Sequence, residues 1–330
     1  MDPSISAATV PKDKKFISKR TAVFLLKLVV TVLVMAMLIR NISIGSLISA
    51  FAQANHLYII VALLLVVPNI YIQYYKWYFL LRLIKPDVRS KESLFSLLAG
   101  FTFGFITPGR IGEFGRAFYI SNCSWIKVIG ISFIDKFFAL AVVIFTGAIG
   151  MLTLVGGQLH LYVLLPFAVF TIIALLFLRY LLLHPELFKG LLYHLNIMLP
   201  FRDKIKLLMS SFDNFHRAQA TRLLGLSALF YFVFFCQYFL LISAFEPVFI
   251  TKAFQAISST LLAKSMLPIS LGDLGIRESA AIFFMGRIGA ERATAFNASI
   301  LLFFINILLP SLAGLIIILR NRIVNNHERS

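Results

Sequence analysis

Six stretches of this chain are apolar over enough residues to cross a lipid bilayer, and they limit the fold more than any other feature. They cover residues 21–39, 57–81, 128–156, 161–183, 223–245 and 296–319. A helix needs about 20 apolar residues to span the hydrocarbon core. With 60% hydrophobic residues and a mean hydropathy of +0.90, the chain has more apolar surface than a soluble globule of its length can bury. The sequence therefore predicts an all-α polytopic membrane protein.

A short pattern occurs twice in the chain. The first copy is Pro108-Gly-Arg-Ile-Gly-Glu-Phe-Gly-Arg116, and the second is Pro-Ile-Ser-Leu-Gly-Asp-Leu-Gly-Ile-Arg-Glu at 268–278. Both read Pro-x-x-x-Gly-acid-apolar-Gly with an arginine close behind. Proline removes a backbone donor and glycine permits unusual dihedral angles, so each copy is expected to break a helix. The residues assigned to these breaks are Pro108, Gly109, Gly112, Gly115, Pro268, Gly272 and Gly275.

The apolar segments on either side of each break are too short to span a bilayer. They are 94–107 and 111–120 in the first copy, and 253–267 and 276–287 in the second. Lys and Arg are concentrated in the tail 1–20, the loops 82–92 and 184–222 and the tail 321–330, which places all four in the cytoplasm. If 94–120 crossed once, the basic loop 184–222 would move outside. The prediction is therefore six full transmembrane helices and two opposed re-entrant hairpins, an inverted repeat with both termini cytoplasmic.

This topology gives one transmembrane domain, 21–320, between a basic tail at 1–20 and a short tail at 321–330. The cytoplasmic loop 184–222 carries an amphipathic stretch. We expect its apolar face either to lie on lipid or to pack on the protein's own cytoplasmic side. The apolar residues at helical spacing are Ile205, Leu208, Met209, Phe212 and Phe215.

Charged groups at membrane depth are costly unless they are paired or hydrated, so each indicates a structural or functional role. A half-helix that begins after each break would favour an anion at its N-terminus, and arginine suits phosphate oxygens. We therefore predict that the charges near the breaks bind a lipid head group. They are Arg110, Glu113, Arg116, Asp135, Lys264, Asp273, Arg277 and Glu278.

The alternative is that these charges are structural ion pairs. Glu113 would then pair with Arg110 or Arg116, and Asp273 with Arg277. Asp135 and Lys136 are neighbours on one helix and cannot face each other, so each is expected to pair with another segment, Asp135 with a hairpin arginine. Lys27, Lys76 and Arg179 are expected to extend to the cytoplasmic interface.

Other classes of protein are disfavoured by the residues that the chain lacks. The net charge of +17 reflects basic cytoplasmic loops, and we find no nucleic-acid motif. Neither a Ser–His–Asp grouping, nor metal-spaced His residues, nor a phosphate-binding Gly-Lys-Ser/Thr loop is present. Cys123 and Cys236 have no metal spacing. We therefore expect no catalytic residues, no metal, no cofactor and no nucleic-acid partner.

The run 97–120, with its Pro-Gly-Arg-Ile-Gly-Glu-Phe-Gly-Arg motif, resembles the lysylphosphatidylglycerol synthase transmembrane region, also called the flippase-like domain. The Asp135-Lys136 step and the second motif resemble it too, and the likeness covers roughly residues 20–320. By this resemblance, Arg110, Glu113, Arg116, Arg277 and Glu278 fall on the family's motif positions, whereas Asp273 stands where a glycine is expected. Some relatives carry a fused aminoacyl-transferase domain. The chain ends at Ser330 without room for one, so synthase activity is not expected.

The resemblance implies movement of charged phospholipids or polyprenyl-linked lipids between leaflets. We therefore predict a flippase in the cell (cytoplasmic) membrane that binds an anionic or amino-modified lipid head group. The alternatives are a small-anion or ion-coupled transporter, an accessory subunit partnered with envelope-biogenesis enzymes, and a membrane enzyme such as a lipid-linked glycosyltransferase. The last is disfavoured because the loop 40–56 has no Asp or Glu. The oligomeric state is left open.

Overall fold

The computed structural model describes residues 44–107, 109–155, 202–213, 215–267 and 273–327, with scattered positions within 32–40 and 165–184. Within these ranges every regular element is helical, as predicted, and none is a strand. The predicted spans 21–39 and 161–183 lie largely outside the described residues. The tail 1–20 and most of the loop 184–222 lie outside them as well.

The helices of the described residues follow one another along the chain. They are α1 Ile44–Gln53, α2 His56–Leu64, α3 Val66–Ile84, α4 Ser90–Ile106, α5 Trp125–Val155, α6 Arg202–Met209, α7 Arg217–Phe245, α8 Ile250–Met266, α9 Ile276–Arg287, α10 Arg292–Phe303 and α11 Leu309–His327. A 3₁₀ helix covers Ile111–Tyr119, a 3₁₀ turn covers Ser210–Phe212, and a π-helical segment, Phe304–Leu308, joins α10 to α11.

Four helical stretches in the described part are long and apolar enough to cross a membrane. They are His56–Ile84, Trp125–Leu154, Arg217–Phe245 and Arg292–Arg320, each with a mean hydropathy of at least 2.0. They coincide with four of the six predicted spans. The protein is therefore a multi-pass membrane protein.

The first helix pair, residues 90–119, consists of α4 and the 3₁₀ helix that folds back against it. Gly104 of α4 lies so close to the 3₁₀ helix that an added Cβ would come within 2.6 Å of Glu113 Cγ. Small residues of this kind let two backbones approach closely. Ser96 Oγ donates to the Arg116 carbonyl oxygen at 2.8 Å and ties the two elements together.

The two ends of the first pair are held together by a polar contact. Lys85 donates to the Glu92 carboxylate at 2.9 Å and to the Ser121 carbonyl oxygen at 2.8 Å, and Ser121 N donates to Glu92 at 2.7 Å. Burial favours protonated Glu92, but the hydrogen bonds from Lys85 and Ser121 outweigh it and hold the pKa of this carboxyl below its usual value. The pair therefore ends close to where it begins.

The second helix pair, residues 250–287, consists of α8 and α9 and also returns to its starting point. Glu291 N, just after α9, donates to Glu246 Oε2, just before α8, at 2.9 Å. At 12 residues, α9 is about 18 Å long, well short of a bilayer's hydrocarbon core. The helix bounds in both pairs agree closely with the segments predicted from sequence.

The helix that follows each pair packs against the first helix of the other pair. Gly147 of α5 faces Leu262 of α8, where an added Cβ would lie 2.4 Å from Leu262 Cβ. Gly314 of α11 faces Leu98 of α4, where an added Cβ would lie 2.1 Å from the Leu98 carbonyl oxygen. Thr102 Oγ1 of α4 donates to the Ser311 carbonyl oxygen of α11 at 2.8 Å. The contact of α5 with α8 therefore has an equivalent in the contact of α11 with α4.

The bases of the two pairs lie near opposite ends of α5. The first pair closes at Ser121, just before α5 begins at Trp125. Gly150 of α5 contacts Gln255, near the start of α8. At about 1.5 Å per residue, Gly150 lies about 37 Å along α5 from its first residue, Trp125. The bases of the two pairs are therefore far apart along this helix.

The stretch after α6 packs on the protein. Phe212 and Phe215 are each only 3% exposed and belong to the same apolar cluster as Trp77 and Phe138. The Phe215 ring lies edge-on to Phe138 with centroids 5.8 Å apart. Of the two expectations for this stretch, packing on the protein is the one that holds for these phenylalanines. The side chain of Ile205 lies outside the described residues.

Candidate functional site

Both sequence motifs coincide with breaks in the helices. In the first, Gly109 has φ 61° and Arg110 φ 56°, and in the second, Asp273 has φ 64° and Gly275 φ 84°. Left-handed Arg and Asp are uncommon and mark locally strained backbone. Pro108, Pro268 and Gly272 lie outside the described residues.

Gly112 and Gly115 serve the first break through their small size. An added Cβ on Gly112 would lie 2.1 Å from the Phe103 carbonyl oxygen, and one on Gly115 would lie 2.9 Å from the Phe103 ring. Gly112 N donates to Thr107 Oγ1 at 2.6 Å. These two glycines therefore allow the 3₁₀ helix to turn back onto the last turn of α4, while Gly109 and Arg110 make the change of direction.

Asp135 of α5 lies between two buried cations. Lys76 Nζ of α3 is 2.9 Å from Asp135 Oδ1, and Arg116 donates to Asp135 Oδ2 at 3.3 Å. Arg116 also donates to Ser132 Oγ at 3.1 Å, and its guanidinium lies 3.6 Å from the centre of the Trp77 ring. The prediction that Asp135 pairs with a hairpin arginine is confirmed. The expectation that Lys76 extends to the interface is wrong, because Lys76 is 4% exposed and neutralises a buried carboxylate.

Glu113 also lies between two cations, and these are more accessible. Arg110 Nε is 2.5 Å from Glu113 Oε1, and Lys136 of α5 forms an ion pair with Glu113 Oε2. The exposed fraction of the side chain is 23% for Arg110 and 43% for Lys136, against 4% for Arg116. Asp135 and Lys136 therefore each pair with another segment, as predicted, and the Glu113 group is the more accessible part of the network.

In the second helix pair, Asp273 forms an ion pair with a residue other than the one expected. Asp273 accepts a hydrogen bond from Lys264 of α8 at 2.9 Å, and Arg277 donates to Glu278 Oε1 at 2.5 Å. The structural alternative is therefore wrong about the Asp273–Arg277 ion pair. Asp273 lies in the turn, where it meets the last turn of α8, whereas Arg277 points into the core.

Arg277 and Glu278 form a closed group. They are 2% and 0% exposed, and both contact Ser299 Oγ of α10, at 2.9 Å and 3.0 Å respectively. Glu278 Oε2 accepts from Gly275 N at 2.6 Å, so the chain's own carboxylate occupies an amide at the start of α9. The N-terminus of α9 therefore has fewer free amide groups for binding an anion than the sequence suggested.

The two pairs meet electrostatically. Arg110 and Lys136 of the first group both interact with Asp273, and Lys136 also feels the charge of Lys264. Tyr231 on α7 lies near both Arg110 and Asp273. Residues from two motifs that are far apart in sequence thus lie together, and we call this group the charged cluster. Its members are Lys76, Arg110, Glu113, Arg116, Ser132, Asp135, Lys136, Tyr231, Lys264 and Asp273.

An apolar groove of about 710 Å³ adjoins the charged cluster between α5, α7 and α8. Tyr231 belongs to both, because it lines the groove and interacts with Arg110. Arg179, which is exposed, also contributes to the lining. The apolar lining includes Val142, Phe145, Phe232, Phe235, Phe254 and Leu261. A polar centre and an apolar trough thus lie side by side.

Several members of the charged cluster were absent from the predicted site. Lys136 and Lys76 were recognised as buried charges but not assigned to it, and Ser132 and Tyr231 were not singled out. Ser132 precedes Asp135 by one helical turn, a spacing that could have indicated a shared face. Tyr231 carries no such signal. The assignment of the eight predicted residues to a substrate site stays a prediction.

Comparison with known proteins gives one match. The family model described as lysylphosphatidylglycerol synthase TM region matches residues 24–314. No curated protein and no solved structure matches the chain. The matched range contains both motifs and the whole charged cluster.

Proposed function

This chain belongs to the lysylphosphatidylglycerol synthase TM-region family, and from that premise we propose that it binds a membrane lipid by its charged head group and moves it between leaflets. The head group occupies the charged cluster, and the hydrocarbon chain lies in the apolar groove. The protein acts as a transporter and not as a synthase.

The observation that carries this proposal is the contact between the charged cluster and the groove. A lipid has a charged end and an apolar end, and the cluster and groove present complementary surfaces within reach of Tyr231. A soluble anion would need the cluster but not a trough of about 710 Å³ lined mainly by Phe, Leu and Val. The arrangement therefore favours an amphiphilic substrate.

The helix pairs are proposed to be re-entrant hairpins of an inverted repeat. Both ends of each pair are held together, in the first by the contacts of Lys85 and Glu92 with Ser121, and in the second by that of Glu246 with Glu291. The reciprocal packing of α5 on α8 and of α11 on α4 supports a two-fold relation between the halves. Broken helices at the interface of such repeats are where transporters bind substrate. The basic loops favour a cytoplasmic location for both termini, in the cell membrane.

Within the charged cluster, the partly exposed residues bind the head group and the buried residues support the fold. Arg110, Lys136 and Lys264 are the partly exposed cations, and they bind the phosphate oxygens. Arg116 and Asp135 are buried and hold the 3₁₀ helix in place against α5. Glu113 and Asp273 stay paired with these cations, and the head group binds beside them to the positive charge that the two acids leave uncompensated. No buried carboxylate then loses its partner when the lipid binds.

The experiment is a reconstitution of the full chain in liposomes that carry a fluorescent phosphatidylglycerol. Appearance of the probe in the outer leaflet, read by an impermeant quencher, is compared with uptake of radiolabelled inorganic phosphate. Lys136→Gln should slow lipid movement at least about tenfold, equivalent to about 1.4 kcal/mol. Lys252→Gln, an exposed lysine at the start of α8 outside the cluster, should not slow it.

Two other outcomes would contradict the proposal. Uptake of phosphate without movement of lipid would indicate a small-anion transporter. Movement of neither, with an intact and folded protein, would indicate an accessory subunit of envelope biogenesis.

A further inference from the structure

The charged cluster and the adjoining Arg277 group contain more cations than anions. Six basic residues face four carboxylates, so the described network carries a net charge of 6 − 4 = +2. All four carboxylates already have basic partners, and both Glu113 and Asp135 have two. The basic residues are Lys76, Arg110, Arg116, Lys136, Lys264 and Arg277, and the acids are Glu113, Asp135, Asp273 and Glu278.

No other part of the membrane domain can supply the missing negative charge. The chain has no Asp or Glu between residues 14 and 86, or between 136 and 185. It has none between 214 and 245, 247 and 272, 279 and 290, or 292 and 327. In the sequence, every remaining acid lies between the apolar segments or in a tail. The other apolar segments therefore contain no acid that could neutralise the two surplus charges of the described network.

Uncompensated charge is costly in a medium of low dielectric constant, so a surplus at membrane depth favours a ligand of opposite charge. One surplus charge lies at Glu113, which Arg110 and Lys136 share, and the other lies at Asp135, which Lys76 and Arg116 share. Lys136 is the most exposed of the paired cations, at 43%, and directly follows Asp135 in the chain. A head group at Lys136 therefore contacts the first surplus charge directly and lies close to the second, without opening the buried Arg116–Asp135 pair.

We propose that the substrate is a lipid phosphate monoester, whose head group carries two negative charges and no amine. This inference rests on the proposed function and names the substrate class of the same site. A phosphodiester such as phosphatidylglycerol compensates half of the surplus. A zwitterionic head group compensates none, and a lysine ester of phosphatidylglycerol, with two ammonium groups and one phosphate, adds to it. The lysylated lipid in the family's description is therefore not the substrate that we propose for this chain.

Binding to the purified full chain in nanodiscs of phosphatidylcholine tests the proposal. The probes are short-chain phosphatidic acid, phosphatidylglycerol, lysylphosphatidylglycerol and phosphatidylcholine, and inorganic phosphate. Phosphatidic acid should bind at least about tenfold more tightly than phosphatidylglycerol, and lysylphosphatidylglycerol should bind most weakly of the charged lipids. A phosphate monoester loses its second proton near about pH 6. Affinity for phosphatidic acid should therefore fall between about pH 8 and about pH 5, whereas that for phosphatidylglycerol should change little.

Two variants test whether charge matching causes the expected preference for phosphatidic acid over phosphatidylglycerol. Lys136→Gln lowers the surplus from two to one, so the ratio of affinities for phosphatidic acid and phosphatidylglycerol should approach one. Lys252→Gln should leave the ratio as in the wild type. An unchanged ratio in Lys136→Gln would contradict the inference.

The remaining outcomes distinguish this inference from the proposed function. Tightest binding of lysylphosphatidylglycerol would overturn the inference and leave lipid transport standing. Binding of inorganic phosphate as tight as that of phosphatidic acid, or of phosphate alone, would overturn the proposed function as well, since the groove would then contribute nothing.

Discussion

The three arginines near the two helix breaks differ in how firmly their side chains are held. Arg277 is closed in by Glu278 and Ser299, and Arg116 is held by Ser132, Asp135 and the Trp77 ring. Arg110 has one carboxylate partner and stays partly exposed. A planar guanidinium that is stacked and doubly bonded is fixed in orientation. Two of the three arginines are thus positioned as supports, and Arg110 remains available to a ligand.

Arg116→Lys is therefore expected to destabilise the protein although the charge is kept. An ammonium cannot stack on Trp77 and reach both Ser132 and Asp135, so the loss should be about 1–3 kcal/mol. Thermal unfolding in detergent measures it, and lipid movement should slow because the 3₁₀ helix that carries Arg110 is less well held. Arg82→Lys is the matched control. Arg82 is exposed and lies 5.9 Å from the Tyr78 ring, so its replacement should change the stability little. Equal unfolding temperatures for the two variants would argue against a supporting role for Arg116.

The sequence showed which charges need partners but not which partners they take. Hydropathy and the cost of burial marked Asp135 and Lys136 as paired with other segments, and both are. Lys76 was misplaced because its position near the end of an apolar run suggests a route to water. The route is absent because α3 packs so that this lysine faces α5. Partner choice depends on the relative rotation of helices that are distant in the chain, and a single sequence does not contain that rotation.

At the level of helices, close approach between the two halves depends on glycine. Gly147 and Gly150 bring α5 onto α8, and Gly314 brings α11 onto α4. The sequence predicted the bounds of these helices because apolar length and the Pro-Gly breaks are local signals. It did not predict the reciprocal contacts, since glycines within an apolar helix are compatible with many different neighbours.

Gly314→Ala is expected to push α11 away from α4. The added methyl group would lie 2.1 Å from the Leu98 carbonyl oxygen and 2.4 Å from Thr102 Oγ1, and backbone cannot yield as a flexible side chain does. Overpacking of this kind costs about 1–3 kcal/mol, so the unfolding temperature should fall, and Gly147→Ala should have a similar effect at the equivalent contact. Gly225→Ala on α7 is the control, because nothing lies within 4 Å of its added Cβ. A drop in Gly225→Ala as large as in Gly314→Ala would mean that loss of glycine, and not the interhelix contact, is responsible.

For the molecule as a whole, the arrangement of the two helix pairs makes a joint prediction about sidedness. If both pairs re-enter, the two flanks of each pair lie on the same side of the membrane, and the two pairs lie on opposite sides. Asp87 and Asn122 are exposed positions that flank the first pair, and Pro247 and Arg292 flank the second. In a background with Cys123 and Cys236 replaced by Ser, a single cysteine is placed at each position and treated with an impermeant maleimide on intact cells.

The cysteines at Pro247 and Arg292 should be labelled from outside, and those at Asp87 and Asn122 only after the membrane is permeabilised. The expectation follows from the basic loops, which stay in the cytoplasm, and from the contacts that close each pair at its base. Labelling of one flank of a pair without the other would mean that the pair crosses the membrane, and the inverted repeat would fail with it. Labelling of all four positions on the sides opposite to those expected would reverse the orientation but keep the repeat. The four labels together thus test the re-entrant architecture independently of any assay of lipid movement.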